Sequence, residues 1–169
     1  MCRNKRRPVL WITTAVVVVA AAVGLYLFQP WRLFTTNRVD EAAPVATGRQ
    51  GAAAEPRATG GFVSHEHETS GSVEVHRLAD GRATLRLTNL RTSDGPALHV
   101  WLSDQPVRQD GGGNLDDGKH VDLGDLKGNE GNQNYAIPAG TDLDKFSTVT
   151  IWCERFSVSF GAAELKQSA

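Results

Sequence analysis

The segment Pro8 to Phe28 reads PVLWITTAVVVVAAAVGLYLF and carries no charged side chain. As an α-helix rising about 1.5 Å per residue, it spans roughly 30 Å, the thickness of a bilayer's hydrocarbon core. Arg3, Lys5, Arg6 and Arg7 precede it. Basic residues stay on the cytoplasmic side, so the N-terminus is expected inside and everything after Phe28 outside. Trp31 and Arg32 follow at the depth where an aromatic ring and a snorkelling cation suit the headgroup layer. A cleavable signal has an apolar region of only about 7–15 residues with small residues after it. Here Ala20, Ala21 and Ala22 lie inside the run, and its exit, Leu27-Phe28-Gln29-Pro30-Trp31, is bulky. An uncleaved signal-anchor is therefore expected, with a cleaved signal as the alternative. Arg6-Arg7 is followed by Pro8 and reads as plain charge bias, not a twin-arginine signal.

The net charge of −1 and the scatter of basic residues beyond the N-terminus exclude the basic face of a nucleic-acid-binding protein. The two cysteines, Cys2 and Cys153, fall on opposite sides of the membrane in this topology and cannot pair within one chain. The exported part then depends on its core, with one lone thiol.

The chain divides into a cytoplasmic basic tail (1–7), a transmembrane helix (8–28), a juxtamembrane segment and linker (29–59), a folded domain (60–165) and a short tail (166–169). Val45 to Thr59, VATGRQGAAAEPRAT, lacks periodicity and large apolar residues, and reads as a flexible tether reaching roughly 20 Å. The domain is then near the membrane but not fixed to it.

The domain's apolar residues recur with period two, the pattern of strands. Val73 and Val75 alternate with Glu74 and His76. Asp80-Gly81 signals a hairpin, followed by Leu85 and Leu87. Leu98, Val100 and Leu102, then Val149, Ile151 and Cys153, then Phe156, Val158 and Phe160 form further stripes. Gln105 to Gly118 and Gly124 to Gly131 read as polar loops, with Leu123 and Leu126 as small core anchors. No segment has the length and period of an ordinary helix. The fold class is all-β, an antiparallel β-sandwich or partly closed barrel, preceded by one transmembrane helix.

Three groups of residues bear chemistry. Cys153 is either a redox-active thiol or a small buried hydrophobe, and its phase with Val149 and Ile151 favours burial. His65 and His67 would place both rings on one face of an extended strand, a geometry that zinc or copper uses when a third ligand arrives. His76, His99 and His120 are available, but Glu66 and Glu68 make this strand a solvated edge, and no metal site is assigned. Asp110, Asp116, Asp117 and Asp122 lack calcium-loop spacing. Trp101 and Trp152 lie on faces opposite the core stripe, either as a contact patch or beneath a covering loop. Templates for hydrolases, zinc proteases, phosphate loops and dinucleotide sites are absent, so no classical enzyme activity is expected.

Several motifs, in order, complete the reading. They are Gly61-Phe62 with His65 and Gly71, Gly95-Pro96 before LHVWLS (98–103), VDLGDLKGNEGNQNYAIP (121–138), and TVTIWCERFSVSFGAAEL (148–165). Together they resemble the DM-thirteen domain, a family labelled electron-transfer, over nearly all of 60–165. The juxtamembrane text QPWRLFTTNRVDEAAP is similar to that of single-pass bacterial members. The resemblance implies a small all-β domain and a redox role for the family cysteine, here Cys153, beside a redox or cell-envelope protein partner. No cofactor is identified. Ala97 stands where the family pattern has an acidic residue, and Leu90 where an aromatic is common. The rival reading is a non-catalytic cell-surface interaction module in which Cys153 is a core residue.

Overall fold

The computed structural model of the chain describes residues 6–44, 56–78 and 82–167. Cys2, Arg3, Lys5, the Asp80-Gly81 turn and the middle of the expected tether lie outside the described residues. A helix, α1 (Arg6–Phe28), runs into a 3₁₀ turn, Pro30–Phe34. Ten strands follow: β1 (Arg38–Asp40), β2 (Pro56–Ser64), β3 (Ser70–Arg77), β4 (Ala83–Arg91), β5 (Leu98–Ser103), β6 (His120–Asp125), β7 (Glu130–Ile137), β8 (Thr148–Cys153), β9 (Val158–Glu164) and β10 (Lys166–Gln167).

Helix α1 presents an apolar surface that is not buried in the rest of the chain, and its last residues, Leu27 and Phe28, touch the domain. Its polar side chains are satisfied internally: Thr13 donates to the Val9 and Leu10 carbonyls, and Thr14 to that of Leu10. Such a helix, long enough to cross a membrane, is compatible with a single-pass anchor.

The strands form one sheet in the order β1-β7-β4-β3-β2-β9-β8-β5-β6, with β10 added to β2. All pairings are antiparallel except β1 with β7. Strand β6 ends one edge, yet only Leu126–Asn129 separates it from β7, next to last at the other edge. A link that short spans at most roughly 18 Å. The sheet must therefore curl until its edges approach, and the result is a half-barrel with a mixed sheet. Of the two all-β geometries that the periodicity leaves open, this is the partly closed barrel. Its interior holds Val73, Val75, Leu85 and Leu87 from one wall, and Val100, Leu102, Val149, Ile151 and Phe160 from the other. A smaller cluster sits on the outer face, where Trp101 and Trp152 stack at 4.9 Å under Val107 and Leu115 of the 104–119 loop. The covering-loop alternative is correct for this pair.

Several expectations need correction. The sheet takes in Arg38–Asp40 and Pro56–Thr59, which the sequence reading left in the tether. Strand β1 has a three-residue register, too short for a visible period. Gly131 makes room for it: φ is +102°, and a Cβ there would collide with the Val39 carbonyl. The expected polar loop Gly124–Gly131 is shorter than its bounds: Leu126–Asn129 is the link, and the residues on either side of it are the ends of β6 and β7. Strand β7 escaped notice because its inward side chains include Gln133, polar and fully buried. The pair His65-His67 lies in a bend after β2, not on a strand. Phe156 occupies the turn between β8 and β9 and is exposed, out of the core stripe that its spacing suggested.

Candidate functional site

Cys153 ends β8, paired with Leu98 of β5 and Val158 of β9. Alternation along β8 turns it inward with Val149 and Ile151, and it is fully buried. Its Sγ donates to the Pro96 carbonyl at 3.2 Å. Burial pushes the thiol's pKa up. The N–H groups of Phe156 and Arg155 and the Arg155 charge pull the other way without cancelling it. The group is a protonated thiol at neutral pH.

A mainly apolar recess of about 350 Å³ lies between the end of α1, the Asp94–Pro96 turn, the His67 bend and the β8–β9 hairpin; Cys153 does not line it, but Pro96, which accepts its hydrogen bond, does. Phe28 stacks on Phe156 with centroids 5.9 Å apart. His67 lies over Phe160 at 3.9 Å. Gly95 permits the tight turn here, since a Cβ would press on the Phe160 ring. The His67 ring has no hydrogen-bond partner among the described residues. Burial lowers its pKa, against the smaller opposing effect of Glu66.

The juxtamembrane segment is tied down on both sides of this recess. Arg155 donates to the Leu27 carbonyl at 2.7 Å. Arg32 donates to the Gly95 carbonyl at 3.0 Å and pairs with Asp94 at 3.3 Å. The Thr35 hydroxyl donates to Asp94 at 2.6 Å. The expected loose mounting is thus replaced by a docked one. The polar groups of Gln29–Asn37 find partners on the domain that no local sequence pattern announces.

The other candidate residues do not converge on this recess. His65 bonds to Ser159 Oγ at 2.7 Å and the Arg108 carbonyl at 2.9 Å. His76 pairs with Glu74, and His120 stacks on Trp101 at 3.9 Å. His99 faces Asp122 through Nδ1 at 3.1 Å, and Asp125 and Glu154 through Nε2 at 3.3 and 3.5 Å. Among the described residues, His99, Asp122 and Glu154 form the one group with metal-ligand spacing. Both ring nitrogens already meet carboxylates, so each already has a partner within the cluster. Asp110, Asp116 and Asp117 are exposed and bring no ligand set together.

A family model described as "Electron transfer DM13" matches residues 61–165. The chain belongs to that family. The match covers the half-barrel from the middle of β2 through β9, leaving α1, β1 and β10 outside the DM13 boundaries. Neither curated proteins nor solved structures give a match. Sequence reasoning singled out Cys153 but missed the recess that Pro96 separates from it. The available signals were Gly95-Pro96 and the F-x-V-x-F spacing of Phe156, Val158 and Phe160.

Proposed function

We propose that this DM13 domain is held on the extracytoplasmic side of a cell membrane by an uncleaved α1, and works there in electron transfer with a redox partner of the envelope. Cys153 is its redox candidate. The reading is carried by one observation: a bilayer-length helix joins, through residues docked on the domain, a half-barrel of an electron-transfer family. The basic N-terminal residues support the orientation.

Burial of Cys153 favours a second reading, a non-catalytic interaction module in which the thiol only packs. Thiol labelling of the full-length protein, folded and then denatured, with an absorption spectrum of the same sample, separates the two. Labelling in the folded state or a visible chromophore supports the redox role. A colourless protein that labels only after unfolding, and whose cellular role survives Cys153→Ser, leaves the interaction module standing. External protease that spares the domain in right-side-out vesicles defeats the orientation.

A further inference from the structure

We propose that the recess between α1 and the β8–β9 hairpin binds the head ring of a membrane-dissolved quinone; this rests on the tethered electron-transfer reading and names the carrier at that site.

Position comes first. Phe28, the last residue of a helix of bilayer length, lines the recess together with Pro30. That places its mouth where hydrocarbon gives way to headgroups, and a ligand reaches it by lateral diffusion in the bilayer. Shape comes second. The apolar lining comes from two packed ring pairs, Phe28 with Phe156 and His67 with Phe160, together with Pro96 and Val158, and 350 Å³ is near the lower end, about 300 Å³, of small-molecule sites. Phe156, an exposed large apolar side chain at a hairpin tip, gains a partner in this arrangement.

Polarity narrows the class. The His67 imidazole is neutral at pH 7 because burial disfavours its charge, so it offers one N–H to a ring carbonyl. An acyl chain matches the walls but has no acceptor for that N–H. A phosphate headgroup has acceptors but would meet apolar walls and the carboxylates of Glu66 and Asp94, and the lining cation, Arg32, is already engaged by Asp94 and the Gly95 carbonyl. Pro96 forms part of the wall and its carbonyl accepts the hydrogen bond of the Cys153 thiol, so a ring bound here stands one residue away from the redox candidate.

The test uses full-length protein, labelled at histidine nitrogens and valine methyls, in phosphatidylcholine nanodiscs. It is titrated with a decyl-tailed benzoquinone and separately with decanol, which has the tail but no ring. Saturable shifts at His67 and Val158 with the quinone alone are expected. His67→Leu, followed through Val158, should weaken binding about tenfold, the effect of one lost hydrogen bond. Phe156→Ala, at an exposed tip outside the core, should weaken it to a similar degree. Equal shifts with decanol make the recess an acyl-chain groove and overturn the proposal. Absence of shifts in protein that resists carbonate extraction overturns it too. Protein that carbonate removes from membranes sinks the tether instead, and the same titration in micelles then decides the recess by itself.

Discussion

The phenol of Tyr135 donates to Oε1 of Gln133 across 2.8 Å, and both side chains are buried at the point where the half-barrel closes. The same phenol accepts from the Lys127 N–H at 3.0 Å, while Gln133 brackets Gly128, donating to its carbonyl at 2.6 Å and accepting from its N–H at 3.2 Å. Two side chains of β7 thus satisfy the backbone of the short link that brings β6 round to the far edge.

Removing the hydroxyl leaves a buried amide oxygen short of a donor. Tyr135→Phe should cost about 1–2 kcal/mol in urea unfolding at pH 7. Burial is also the main reason the Tyr135 pKa is pushed up from 10.0 to about 12. The folded state then keeps the proton more tightly, so this contribution is full below pH 10 and is lost as pH rises towards 12. The loss amounts to about 3 kcal/mol. Unfolding curves collected across that range should show the decline in the parent and a flatter profile in Tyr135→Phe.

Gly131→Ala should detach β1. The new Cβ meets the Val39 carbonyl at a positive φ that alanine already disfavours. A loss of about 2 kcal/mol is expected from strain of this kind. Amide exchange locates it: the Glu41 N–H, which donates to the Asn132 carbonyl at 2.9 Å, should lose protection, while the N–H groups between β3 and β4 keep theirs.

Ala97 stands at φ +55°, a left-handed conformation that an alanine Cβ penalises. The geometry is kept because it lets the Ala97 carbonyl accept from the Glu154 N–H at 3.0 Å, pinning the turn beside Cys153. Ala97→Gly should raise the thermal midpoint, with a gain of about 1 kcal/mol. An unchanged or lower midpoint would mean that the turn relaxes without strain.

Asp94→Ala removes the acceptor shared by Arg32 and Thr35. Trypsin cleavage after Arg32 in nanodisc-held protein should accelerate about tenfold, because a link held by side-chain hydrogen bonds opens more often once they are gone. Unchanged cleavage would show that Arg155 and β1 suffice to hold the segment.

Much of this was legible in the chain. Val73 and Val75, Leu85 and Leu87, and the LHVWLS and TVTIWC stripes placed four strands and their inward faces, and Cys153 was read correctly as facing the core. Period-two reasoning works where the inward residues are apolar. It failed at β7, whose inward Gln133 is polar and satisfied by the backbone of the link just before the strand, and at β1, whose position depends on a glycine far along the chain. It over-read Phe156 for the opposite reason: the spacing continued past the turn although the strand did not. The recess was invisible because its walls come from four separated segments, each unremarkable alone.

The parallel clip between β1 and β7 carries a mechanical consequence. A pull on α1 meets first the ties of Leu27, Arg32 and Thr35 to the turns of the domain and then a three-residue strand, not the antiparallel ladders of the half-barrel. Drag on the domain would break those few bonds and the side-chain ties around Asp94, then release the covalent length from Arg38 to Pro56, roughly 60 Å of slack. The half-barrel would ride on a fuse that yields before the fold does, and re-forms when the load is gone.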